Sequence, residues 1–228
     1  MNRPTFAFDL DGTLIDSAPD LLGTLNVVLG NVNLAPIAEA DTRGLFGGGA
    51  RLLIERGLAL HRVQLSPAAV DKMFADFLDH YEAHLADRSR PFPGAAEALH
   101  TLAATGAHLV VVTNKLERFA VKLLRELDLA DRFALIAGAD TFAARKPDPA
   151  HLLGAIAEVG GHSGHAVMIG DSETDVTAAR RARVPVVAVA WGYSAVPARE
   201  LGADRVVECF AEVPDAAMAL LASIAARA

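Results

Sequence analysis

From Ala107 onward the chain alternates short β-branched runs with stretches whose apolar residues recur at helical spacing, a pattern that few folds accept. HLVVVT, FALIAG, AVMIG and VPVVAVA, with RVV near the end, read as strands, and TFAFD supplies one more at the N-terminus. KLERFAVKLLREL, PAHLLGAIAEVG and ETDVTAARRA lie between them and read as helices. Parallel strands cannot be joined by tight hairpins, whereas helical crossovers of this length join them naturally. The pattern predicts an α/β fold whose core is a doubly wound, Rossmann-like parallel sheet.

The segment from Ser17 to Arg90 departs from this alternation. DLLGTLNVVLGNV, GARLLIERGLAL and AAVDKMFADFLDHYEAHLA are all helical in period, with no clear strand among them. Turn residues mark both borders, Ser17 and Pro19 on one side and RPFPG on the other. The expectation is a discontinuous core, residues 1–16 and 91–228, with an all-helical domain inserted at residues 17–90. A chain of 228 residues can bury a sizeable interior, and 52% hydrophobic with 21% charged residues describes a globular protein.

The formal charge of −7 argues against a nucleic-acid binder, because phosphate backbones are held by clustered Lys and Arg. A small acidic substrate is compatible with it, since one site can be positive on a negative surface. The single Cys209 cannot form an intramolecular disulfide, fits a reducing cytoplasm, and reads as a small buried apolar residue. No stretch approaches the ~18 apolar residues of a membrane span. Asp9 and Asp11 interrupt the first apolar run too early for a signal-peptide core, so no export is expected. A cytoplasmic monomer or homodimer, without membrane or nucleic-acid partners, is the expectation.

Ligands of parallel α/β sheets sit at the carboxyl ends of strands. Asp9 and Asp11 follow the first strand; Thr113, Asn114 and Lys115 follow HLVVV; Lys146 lies in RKPDP before a helix; Asp171, Ser172 and Asp175 follow AVMIG. Taken singly each has an ordinary reading, such as a turn former, a helix cap or a solvated cation. Together they put three carboxylates on one sheet edge, where mutual repulsion calls for a hard cation. Magnesium suits, because it takes one or two carboxylates and fills its other positions with water and phosphate oxygens. Lys146 adds a positive charge for a phosphate, and Thr113 a hydroxyl beside a helix start.

DLDGTLID, VVTNK, RKPDP and MIGDSETD resemble, in order and spacing, the four motifs of haloacid dehalogenase superfamily phosphatases. The resemblance covers nearly the whole chain. It implies that the inserted helices form a cap, that Asp9 is the nucleophile forming an aspartyl-phosphate, and that Asp11 is the general acid and base. The implied magnesium ligands are Asp9, the backbone carbonyl of Asp11, and Asp171, with Asp175 behind them holding Lys146 or metal waters. Thr113, Asn114 and Lys146 are implied to bind the transferring phosphoryl group. The division of labour requires Asp11 to hold a proton while Asp9 stays ionised.

Specificity is expected from the cap. RGLFGGGARLLIERGL resembles the Gly-rich cap loop of phosphoglycolate phosphatases, and Gly47, Gly48 and Gly49 at a helix start let backbone amides approach a small anion. Arg51 and Arg43 are candidates to pair with a substrate carboxylate. The function expected is magnesium-dependent hydrolysis of a small phosphate monoester such as 2-phosphoglycolate; a sugar phosphomutase and a silent binding module are the alternatives. His80 and His84 share a helix face, but Tyr81 stands where a zinc protease needs Glu.

Overall fold

The computed structural model describes residues 3–42 and 44–225, so Arg43 lies outside the described residues. Strand β1 (Thr5–Phe8) is followed by a two-residue strand β2 (Ile15–Asp16) and by helices α1 (Ala18–Gly30), α2 (Ala50–Leu60) and α3 (Pro67–His84). A second two-residue strand, β3 (Arg90–Pro91), brings the chain back. The rest runs α4 (Ala95–Ala104), β4 (His108–Val112), α5 (Glu117–Glu126), β5 (Leu135–Ala137), α6 (Pro149–Glu158), β6 (Ala166–Gly170), α7 (Glu173–Ala182), β7 (Val186–Val189), β8 (Arg205–Val207) and α8 (Val213–Ala225).

Six strands form one sheet in the order β5-β4-β1-β6-β7-β8. Every neighbouring pair is parallel. Both faces are covered, and the strands show it residue by residue. Phe6 and Phe8 of β1, Leu109 and Val111 of β4, and Val167 and Ile169 of β6 enter one apolar cluster. Ala7, Val110, Val112, Ala166 and Met168 enter the other, against Leu152, Ala155 and Ile156 of α6. Successive side chains point to opposite faces, so a sheet buried on both sides needs unbroken apolar runs, as the sequence has.

The order places β1 centrally, with β4 on one side and β6 on the other, and the connections diverge there. Such a switch in topology opens a crevice at the carboxyl ends. The inserted helices leave and return through one narrow neck, where Ile15 lies opposite Pro91 and Asp16 opposite Arg90. Asp20 braces that neck. Its buried carboxylate accepts from Arg88 N at 3.0 Å and from Ser89 N and Ser89 Oγ at 2.7 Å each, which ties the first turn of α1 to the segment entering β3.

Two features go beyond the sequence pattern. The neck strands are too short to carry any period. Helix α4 buries Ala95, Ala98, Leu99 and Leu102, and alanine marks an apolar face only weakly. One expectation is overturned: Cys209 is exposed. The adjacent Phe210, at 1% exposure, fills the apolar space against Trp191 instead. Among the described residues no helix is long and apolar enough to cross a membrane.

Candidate active site

The ends of β1, β4 and β6 bring the dispersed polar residues to one place. Asp9, immediately after β1, donates its backbone N–H to Ile169 O at 2.9 Å, which fixes its position against β6. Its carboxylate lies 2.8 Å from Lys146 Nζ, and the same ammonium lies 2.6 Å from Asp175. Carboxylate oxygens of Asp9, Asp171 and Asp175 all lie within 4.8 Å of one another.

Each of these carboxylates is held by local structure. Asp175 sits in the first turn of α7, where Ser172 and Asp175 form a reciprocal capping box. One Asp175 oxygen faces Lys146; the other accepts from Ser172 N at 3.0 Å and Ser172 Oγ at 2.6 Å. Asp171 accepts from Thr13 Oγ1 at 3.0 Å and from the Tyr193 backbone N–H at 2.8 Å. Thr113 is buried, its hydroxyl accepting from Lys115 N at 3.2 Å. Asn114 donates to Lys146 O at 3.0 Å, while its own Oδ1 is buried without a partner among the described residues.

Electrostatics follow from this crowding. Burial pushes the Asp9 carboxyl up to about 6 against the pull of Lys146. Burial, then Asp175 and Asp9, push Asp171 up to about 8. Burial pulls the Lys146 ammonium down, but Asp175 and Asp9 outweigh it and leave it raised. One ammonium stands against three carboxylates, and the balance is a buried excess of negative charge that a divalent cation would offset. The donor set of hard oxygens fits magnesium on those grounds.

Asp11 faces elsewhere. Both its oxygens accept from Lys115 Nζ, at 2.7 and 2.9 Å, and one also accepts from Ser17 Oγ at 2.6 Å. Its side chain therefore lies in an ion pair beside the carboxylate cluster rather than within it. The Lys115 ammonium rests over the ring of Tyr81 of α3, 4.8 Å from the centroid.

These residues line a cavity of about 530 Å³ between the sheet edge and the inserted helices. Gly47, Gly48, Gly49 and Arg51 line it from the helical side. The three glycines have φ of +85°, +87° and +93°, a left-handed region that disfavours any side chain. A Cβ on Gly49 would lie 3.2 Å from Asn114 O, so this loop touches the core loop directly. Arg51 is half exposed and already paired with Asp71.

A sequence profile of the haloacid dehalogenase-like hydrolases matches residues 6–189. The chain belongs to that family. It is 46% identical over 223 residues to a phosphoglycolate phosphatase of Caulobacter vibrioides, covering 98% of this chain and 94% of that protein. It is 44% identical over 225 residues to a phosphoglycolate phosphatase of Agrobacterium fabrum, covering 99% and 97% respectively. Among solved structures, a predicted phosphoglycolate phosphatase from Haemophilus somnus superposes with a TM-score of 0.87 at 28% identity, covering 95% of this chain and 98% of that one. Phosphatases of the family generally use magnesium, and the buried aspartate cluster suits one.

Several parts of this hydrolase site carry no sequence signal. Tyr81 reaches Lys115 from the inserted helices, and Ser17 binds Asp11 although its local setting is that of a turn residue. Tyr193 ties three regions together: its N–H holds Asp171, its hydroxyl donates to Asp16 at 2.6 Å and accepts from Ala18 N at 3.0 Å, and its ring lies 5.1 Å from that of Phe46. Apart from Ser17 and Asp11, which are six residues apart, these pairs are distant in sequence, so no local period announces them.

Gly192 shows how tightly Asp171 is backed. A Cβ there would lie 2.1 Å from Asp171 Cβ and 2.5 Å from its Oδ2. Gly192→Ala is therefore expected to displace that carboxylate and to cost about 100-fold in kcat/KM, the scale of a misplacement near 1 Å. Magnesium titration should show weaker binding in parallel; wild-type kinetics in the variant would refute the assignment.

His151 on α6 adds a pH dependence. It is buried at 0% exposure, and burial followed by the Lys146 charge hold its imidazole at about 4, below its ordinary 6.5. The unfolded chain takes up this proton first, so the stability of the neutral buried form is kept above pH 6.5 and lost as pH falls toward 4. His151→Met should remove that loss. Relative to its value at about pH 7, the stability difference between variant and wild type should shift by about 2–3 kcal/mol in favour of the variant at about pH 4.5. Urea unfolding at the two pH values checks this; an unchanged difference would refute it.

Proposed function

We propose that this chain is a magnesium-dependent phosphate monoester hydrolase whose ester is 2-phosphoglycolate or a close relative of it. The single observation that carries the reading is the junction of Asp9, Lys146, Asp171 and Asp175 at one sheet edge, inside a family whose matched relatives are phosphoglycolate phosphatases. Residues 1–16 and 91–228 serve as the catalytic core, and residues 17–90 as the cap that closes the cavity.

In this proposal an Asp9 oxygen attacks phosphorus, the phosphorus–ester oxygen bond breaks, and Asp11 delivers a proton to the departing oxygen. The Asp11 carboxylate left behind is held by the Lys115 ammonium and the Ser17 hydroxyl, contacts already in place. Asp11 then takes a proton from water, whose oxygen attacks the phosphorus of the aspartyl-phosphate and releases Asp9 and inorganic phosphate. Lys146, Thr113 and Asn114 orient the phosphoryl oxygens and oppose their charge, a contribution that grows as charge spreads in the transition state. Asp9, Asp171 and the Asp11 backbone carbonyl would hold magnesium, with Asp175 behind them fixing Lys146. When bound, the ion supplies Lewis-acid neutralisation of phosphoryl charge.

Small phosphate esters, 2-phosphoglycolate included, are assayed for phosphate release with magnesium and with a chelator. The expected outcome is a strong preference for 2-phosphoglycolate that disappears on chelation. Isomerised sugar phosphate in place of free phosphate would favour a phosphomutase, and no turnover of any ester would refute the reading.

A further inference from the structure

The cavity carries two buried polar groups to which the mechanism above assigns no contact with the substrate, and both lie on the leaving-group side. The Tyr81 hydroxyl belongs to a side chain only 2% exposed and, although the Lys115 ammonium approaches its oxygen, no acceptor for its own proton lies within hydrogen-bond distance among the described residues. Folding has taken it out of water without giving its proton an acceptor. Beside it stands Lys115, its side chain 4% exposed, with two contacts to Asp11 and the Tyr81 ring beneath. An ammonium has three N–H bonds; two go to Asp11, and the third, on the Tyr81 side, is the one a ligand oxygen would share with the Tyr81 hydroxyl.

We propose that Lys115 and Tyr81 form the subsite for the carboxylate of the substrate, so that the esters favoured are short phosphorylated hydroxy acids. The inference rests on the phosphatase reading above and names what that site recognises beyond the phosphoryl group. Asp11, as the group that protonates the ester oxygen, marks where the leaving group begins. In a glycolate leaving group one methylene separates that oxygen from the carboxylate, which brings the carboxylate to the partners of Asp11. Lys115 would then bridge two carboxylates, as Lys146 bridges Asp9 and Asp175 in the same cavity.

The other cations lining the cavity serve less well. Lys146 is committed to Asp9 and Asp175, and Arg51 to Asp71. Arg145 is exposed, where water screens its charge, whereas the desolvated Lys115 acts at low local dielectric. Tyr81 belongs to the inserted helices and Lys115 to the core, so a carboxylate held by both would also join the two halves of the cavity.

The test compares 2-phosphoglycolate with ethyl phosphate, which lacks the carboxylate. In Tyr81→Phe the ring and its contact with Lys115 are kept and only the hydroxyl is lost. The ratio of kcat/KM for the two esters should fall about tenfold, mostly through KM for 2-phosphoglycolate. A second arm reads binding instead of turnover: in the Asp9→Asn background, calorimetric affinity for 2-phosphoglycolate should fall about tenfold with Tyr81→Phe and further with Lys115→Met. A wild-type preference for 2-phosphoglycolate that survives in Tyr81→Phe, or that is lost in Arg145→Gln alone, overturns the subsite while leaving the phosphatase reading intact. Wild-type protein that turns over both esters equally well overturns the subsite and the 2-phosphoglycolate assignment together.

Discussion

Asp9→Asn is expected to lower turnover by more than about 10⁴-fold while the protein stays folded, the scale seen when an enzyme loses its nucleophile. An amide keeps the shape of the side chain and its approach to Lys146, but it cannot form the acyl-phosphate. The fold should tolerate the change. Asp9 is largely shielded from water and its carboxyl is raised to about 6, chiefly by desolvation, so the folded state holds its proton more tightly than the unfolded chain. Stability from this group is therefore present at low pH and lost as pH rises through about 6, and an uncharged amide escapes that loss. Phosphate release and thermal unfolding at about pH 7 check both halves. Retained activity would remove Asp9 from the nucleophile's role, and an unfolded variant would contradict the electrostatic account.

Asp175→Ala is expected to be the most destabilising change at the site. Its side chain is fully buried and accepts from Lys146 and from Asp171 N, Ser172 N and Ser172 Oγ, just ahead of α7. Without it Lys146 keeps only Asp9, and the Asp171 and Ser172 backbone N–H groups lose their acceptor. Breaking a buried ion pair from one side costs about 3–5 kcal/mol. An opposing effect must be weighed, because Asp175 also repels Asp9 and Asp171 and helps raise both carboxyls. Relief of that repulsion offsets part of the cost when no cation is present. The full loss should appear in urea unfolding with magnesium and a smaller one with a chelator. A loss under about 1 kcal/mol in magnesium would mean that Lys146 does not depend on Asp175.

Much of the fold was legible because its signals are local. A strand buried on both faces must be apolar along its buried run, and FAF, LVVV and AVMIG are. Crossover helices must show one apolar face, and ETDVTAARRA, read from its helical spacing, matches α7 at both ends. Helix α4 and the neck strands were less legible: alanine contributes little to an apolar period, and two residues make none. Cys209 misled because its apolar chemistry says nothing of which neighbour takes the interior place, and Phe210 buries more area there.

The alternation that builds a parallel sheet, and the carboxylates, lysine and hydroxyls that end its strands, are written in short stretches of the chain. Both are governed by side-chain periodicity and by where strands stop. Tertiary structure alone decided which groups share a proton or a charge. It turned Asp11 toward Lys115 and brought Tyr81 and Tyr193 in from distant segments. The physical reason is distance: electrostatic and hydrogen-bond energies fall off over a few ångströms, and only the folded path of the chain brings residues so far apart in sequence within that range.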